Sequence, residues 1–183
     1  MLTYSGTVTR WKRTMERDLN KIKQLALKRE DENWGFRTFL KGLDMPLKKM
    51  DRVVHRIYEE VSSEIDCKKC ANCCREVPVA LDQHDINRFS NGLEISPQEF
   101  QEKYLVSGEE TDEFHFGQKP CPFLKGNLCS NYRHRPKACR SYPHLQKKDF
   151  VFRLIGVIQN YAVCPIVFNV YEGLKRGLWH NGP

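Results

Sequence analysis

The chain has 183 residues, 40% of them hydrophobic and 29% charged, with a formal net charge of +7. That length gives one domain able to own its core without disulfides, and this composition excludes a disordered or fibrous chain. No stretch approaches about 18 uninterrupted apolar residues and the N-terminus has no apolar run, so neither a membrane span nor a secretory signal is expected, and the predicted location is the cytoplasm.

In chain order, residues 9–30 read as a polar, basic helix with an apolar stripe at Leu19, Ile22, Leu25 and Ala26. A loop is expected next, carrying an apolar cluster of Trp34, Phe36, Phe39, Leu40 and Leu43. Asp44 and Pro46 suit the start of a helix in which Leu47, Met50, Val54, Ile57 and Val61 recur at alternating spacings of 3 and 4. That helix delivers the chain to Cys67. Val77, Val79 and Leu81 alternate as in a short strand, and Asp82 is placed to cap a helix over 83–91. Ser96-Pro97-Gln98-Glu99 is a capping box opening a helix to about Leu105, before an acidic loop at 107–113.

Phe114–Phe116 and the two arms of Cys121–Tyr132 read as short strands, the latter turning at Lys125-Gly126-Asn127. Pro136 suits the first turn of a brief helix carrying Cys139. Residues 150–163 fit neither the helical nor the strand period cleanly. Pro165 can open a final helix with Val167, Val170, Tyr171, Leu174 and Leu178 on its apolar face. The expected fold is α+β: a mostly helical single domain with short strands around a cysteine-rich metal centre. Residues 1–64 form an N-terminal helical segment packed on the core, and residues 65–183 the cysteine-cluster metal-binding domain.

Charge is unevenly spread, with a net of +3 over residues 1–66, −5 over 67–118 and +9 over 119–183. The basic C-terminal third could meet an anionic or protein partner, or its cations could offset thiolates bound within the same fold. Charge alone does not choose between them.

Eight cysteines in a reducing compartment point to metal or redox chemistry rather than disulfides. Cys67-x2-Cys70-x2-Cys73-Cys74 is the strongest signal in the chain. Thiolates on tetrahedral zinc sit about 2.3 Å from the metal, hence roughly 3.7 Å apart, and a C-x2-C turn brings two sulfurs that close without strain. One loop rarely supplies a whole shell, so Cys121, Cys129, Cys139 and Cys164 are candidates to complete it. Neighbouring side chains point apart, so one metal seldom takes both Cys73 and Cys74. The set therefore suits two four-thiolate sites, or one cluster with spare thiols, and the lesser alternative for Cys73 or Cys74 singly is a small buried hydrophobe.

Such a site needs cations beside its thiolates. Lys68, Lys69, Arg75, Lys137 and Arg140 adjoin cysteines, and Arg140 is favoured because it follows Cys139. His134 and His144 flank Cys139 but match no histidine-containing metal spacing, so the simpler reading is a surface histidine. Tyr132, Tyr142, Phe116 and Phe123 interleave with the basic third and are read as a small core that keeps water from the metal.

The segments Cys67-x2-Cys70-x2-Cys73-Cys74, Cys121-Pro122-Phe123-Leu124 and Cys129-Ser130-x-Tyr132-x2-Arg135-Pro136-x2-Cys139-Arg140-x-Tyr142-Pro143 resemble the YkgJ-type cysteine-cluster family. That family is described as a zinc- or iron-chelating domain, with flagellin lysine N-methylases among its relatives. The resemblance spans about residues 65–168 and implies that the eight cysteines gather around metal, with Arg135, Arg140 and Tyr142 beside the bound group. Asn131 and Arg133 depart from the pattern, where an apolar and an acidic residue are common. The implied cofactor is an iron–sulfur cluster, with zinc the alternative. The function expected is redox or cluster-dependent transfer chemistry, against a zinc-binding structural module or a lysine N-methylase-like enzyme. No Walker A loop, G-x-G-x-x-G or G-x-S-x-G is present, so the residues themselves name no reaction.

Overall fold

The computed structural model describes residues 15–108 and 114–179. The expected helical residues 9–14, residues 109–113 of the acidic loop and His180 lie outside the described residues. Within them the fold is α+β and mostly helical, with short antiparallel strands. The elements run α1 (Leu19–Lys28), α2 (Glu30–Gly42), α3 (Leu47–Glu64), α4 (Cys67–Cys70), α5 (Cys73–Glu76), β1 (Ala80–Leu81), α6 (Gln83–Asn91) and α7 (Pro97–Tyr104). They continue with β2 (Leu105–Ser107), β3 (Phe114–Phe116), β4 (Leu124–Lys125), β5 (Leu128–Cys129), α8 (Lys137–Ser141), α9 (Leu154–Tyr161) and α10 (Pro165–Leu178). The chain forms two compact units, one of residues 1–63 with 148–183 and one of residues 64–147. No described helix is long and apolar enough to cross a membrane.

The first unit is helical. Asp18 caps α1, accepting hydrogen bonds from the Asn20 and Lys21 amides. Where a loop was expected, α2 forms: Glu30, Asp31 and Glu32 in its first turn complement the helix dipole and outweigh the mid-helix Gly35. Its Phe36 and Leu40 are buried, and Phe36 meets Tyr171 edge-on at 5.2 Å between ring centres. The 3-and-4 spacing of α3 buries Met50, Val54, Ile57 and Val61, while Leu47 stays exposed. Residues 150–163 resolve as a 3-10 turn, Phe150–Arg153, running into α9. The Asp51 carboxylate starts that turn by accepting from the Asp149 and Phe150 amides, both at 3.0 Å. Pro165 opens α10, whose Val167, Val170, Tyr171 and Leu174 are buried.

The second unit is built from short pieces. Asp82 and Ser96 cap α6 and α7, accepting from the Asp85 and Glu99 amides at 2.7 and 3.1 Å. The expected strand at 77–81 shrinks to Ala80–Leu81, because the one-turn α5 ends with the Val77 amide bonded to the Cys73 carbonyl. Strands β1, β3 and β2 make an antiparallel sheet in that order, with Leu81 opposite Phe114 and Leu105 opposite Phe116. Its core is Leu81, Ile86, Phe89, Phe100 and Phe123, with Phe116, Cys121 and Cys129 packed against it. Phe89 and Phe123 meet edge-on at 4.7 Å.

Candidate metal centre

Each cysteine-bearing segment is placed by an identifiable local device. Asp66 caps α4 by accepting from the Lys68 amide, and Ala71, at φ 50°, turns the chain from α4 into α5. Cys67 and Cys70 therefore sit one helical turn apart, and Cys73 and Cys74 open the next turn. The hairpin β4–β5 pairs Leu124 with Cys129, and the Cys121 amide donates to the Cys74 carbonyl at 2.9 Å, which joins the two segments. Cys139 is held by α8, whose first amide, Lys137, donates to the buried carboxylate of Asp85 at 2.8 Å.

These devices bring Cys67, Cys73, Cys74, Cys121, Cys129 and Cys139 around one cavity of about 290 Å³. Phe89, Phe116, Val77 and Val79 give it an apolar floor, and Arg135, Arg140, Lys68, Tyr132, Tyr142 and His144 also line it. Cys70 does not line the cavity. Cys164 belongs to the helical unit, where it is 6% exposed and precedes α10 without a side-chain capping bond. No disulfide joins any of the eight. Among the described residues no three His, Cys, Asp or Glu side chains already form a coordination shell, so the sulfurs ring a space rather than close on a point.

Electrostatics sorts the ring. Burial pushes the Cys139 thiol up to about 12, with Cys74, Cys121 and Cys129 adding repulsion and Arg135 opposing it. Burial pushes Cys121 up to about 11, helped by Cys74 and Cys129 and opposed by hydrogen bonds from the Phe123 and Leu124 amides. Cys129 and Cys67 are raised by burial too. Cys74 goes the other way, down to about 7, because the Cys73 thiol bonds to it and Arg135 and Arg75 favour its thiolate. One already acidic thiol amid protonated ones gives an entering cation a first ligand, and each further ligand must lose a proton to join.

The guanidinium that reaches most of the thiols is that of Arg135, whose charge acts on Cys67, Cys74, Cys129 and Cys139. It stacks on Tyr132 at 3.5 Å and donates through Nε to the Tyr132 carbonyl. Arg140, favoured from its place after Cys139, donates to the Arg135 carbonyl at 2.8 Å and so braces the segment that presents Arg135. Asn131, one of the two departures, is buried and satisfied, donating to the Phe89 carbonyl at 2.8 Å and accepting from His134 Nδ1 at 2.9 Å. Sequence reasoning overlooked Asp85 and Phe89. Their signal was the i, i+4 spacing on α6, which marks a buried face but not its partner.

The donors are soft thiols beside a cation, a set that suits zinc or iron–sulfur and disfavours hard, oxygen-seeking ions. Compared with known families, residues 66–154 match the model CxxCxxCC, described as "Putative zinc- or iron-chelating domain". The match ends before Cys164. No curated protein and no solved structure matches the chain.

Proposed function

We propose that this chain, whose residues 66–154 match the model of the zinc- or iron-chelating CxxCxxCC family, holds an iron–sulfur cluster in the cavity of the 64–147 unit and uses it for redox or cluster-dependent transfer chemistry. The observation that carries this reading is that six thiols line one cavity. A single zinc ion draws four sulfurs to within roughly 3.7 Å of one another and fills the space between them. Six thiols on one cavity exceed the four that such an ion takes, and they suit a polynuclear centre. The apolar floor of Phe89 and Phe116 keeps water from it, and Arg135 offsets the excess negative charge of four thiolates.

When bound, the cluster supplies one-electron chemistry. The chain's own residues present thiolates, exclude water on the phenylalanine side and hold a positive charge on the Arg135 side. Anaerobic purification followed by iron, sulfide and zinc analysis and a visible spectrum tests the reading. The expected result is a brown protein, with iron and sulfide in equal amounts and absorbance near roughly 400 nm that bleaches on reduction. A colourless protein holding stoichiometric zinc overturns it in favour of a structural four-cysteine site.

A further inference from the structure

The two parts that carry five of the six cavity cysteines are each too short to stand alone. Helices α4 and α5 are single turns of four residues, and β4 and β5 are two residues each. An isolated turn or hairpin of that length is not stable in water, so something must hold the hairpin against the cysteine loop at a fixed spacing.

Two side chains do this. Arg75, between Cys74 and the end of α5, donates through Nη1 to the Cys70 carbonyl at 3.1 Å. Through Nη2 it reaches the hairpin tip, donating to the Gly126 carbonyl at 3.2 Å and to Asn127 Oδ1 at 2.7 Å. Asn127 returns the bond across the same gap, its Nδ2 donating to the Lys69 carbonyl at 2.7 Å. Gly126 turns the tip with φ +59°, a left-handed conformation that suits glycine. One planar guanidinium thus grips three acceptors on two segments more than fifty residues apart in sequence, and the amide of Asn127 closes the ring. The Cys121–Cys74 backbone bond fastens the same two segments at a second point.

We propose that Arg75 and Asn127 form a latch that sets the separation between the Cys67–Cys74 loop and the Cys121–Cys129 hairpin, and thereby how tightly the thiol ring holds its metal. They are positioning residues: they bond backbone carbonyls and each other, and beyond the charge that Arg75 places near Cys74 neither acts on a metal ligand directly. The fork geometry matters as much as the charge: a lysine ammonium at position 75 cannot span three acceptors in one plane. The inference rests on the metal centre proposed above but not on which metal fills it.

Cobalt(II) alone, titrated anaerobically into the reduced metal-free chain, is the probe, because its thiolate charge-transfer and ligand-field bands report sulfur ligation whether the native occupant is zinc or an iron cluster. Arg75→Gln, Asn127→Ala and the double variant are compared with wild type, and Arg75→Lys tests the fork. Each single variant is expected to bind cobalt about tenfold more weakly, the usual scale for residues that orient ligands, with a weakened ligand-field band. The double variant should be little worse than either single, because the two act as one unit, and Arg75→Lys should not rescue. Thermal melts of the metal-free proteins separate this from a role in folding alone, which would lower the midpoint and leave the affinity and spectrum of the folded protein as in wild type. Wild-type affinity and spectrum in the variants overturn the latch. Absence of any thiolate–cobalt band in wild type overturns the metal centre itself, and the latch with it.

Discussion

In the unit of residues 1–63 and 148–183, helices of 8 to 18 residues bury long apolar faces. In the unit of residues 64–147 no described helix exceeds nine residues and no strand exceeds three. The first also encloses a cluster of paired charges. Glu172 meets Arg29, Lys175 at 3.1 Å and the Tyr161 hydroxyl at 2.8 Å, while Lys175, 5% exposed, bonds Glu32 at 2.8 Å. The second unit gathers ionisable thiols whose natural counter-charge, beyond Arg135, is a metal. A helical unit of this kind owns its stability, because its long helices bury continuous apolar faces against one another. A unit of one-turn helices and a two-residue hairpin borrows stability from what its cysteines bind.

Metal removal should expose that contrast most strongly. Thiolate–metal binding contributes on the order of 10 kcal/mol to domains that fold around it. Chelation should therefore strip hydrogen-exchange protection from residues 64–147 and leave α2, α3 and α10 protected. Equal loss in both units would break the comparison.

Truncating one buried ring in each unit sharpens it. Phe36→Ala and Phe89→Ala should each cost about 3–5 kcal/mol in denaturant melts, the usual scale for a deleted core phenylalanine. Only Phe89→Ala should also lower the metal retained after gel filtration, since Phe89 floors the cavity. If Phe36→Ala loses metal as readily, the helical unit is not independent of the site.

The smallest effect is a pH dependence confined to the metal-free, reduced protein. The thiol of Cys74 is depressed from its ordinary 9.0 to about 7, so its contribution is present above pH 9 and lost as pH falls through 7. Those of Cys121 and Cys139 are raised to about 11 and 12, so theirs is complete below pH 9 and lost as pH climbs through those values. Stability should therefore rise between pH 7 and 9 and fall between 9 and 12, with a shallower fall in Cys139→Ser. A flat profile would mean that the ring carries no such coupling.

Local chemistry was legible in the sequence. Asp82 and Ser96 cap the helices expected of them, the 3-and-4 rhythm marks the buried face of α3, Pro165 opens α10, and the hairpin turns at Gly126-Asn127. The motif around Cys67–Cys74 pointed to the family whose model residues 66–154 match. Helix α2 was hidden because its bulky aromatics and Gly35 have weak helix propensity, and burial of Phe36 and Leu40 decides it.

Tertiary structure decided the rest. It grouped residues 148–183 with the N-terminal helices, so that Cys164 lies at the start of α10 there while six other cysteines line one cavity. It set the charge of Arg135 on four of the thiols and the guanidinium of Arg140 on the Arg135 carbonyl, supplied α8 with a cap from Asp85, and set Arg75 across the hairpin tip. Caps, turns and periodic faces depend on residues within about four positions of one another, which a sequence displays directly. Which thiols converge, and which cation faces them, depends on groups about fifty residues apart whose meeting is fixed only when the aromatic core between them packs.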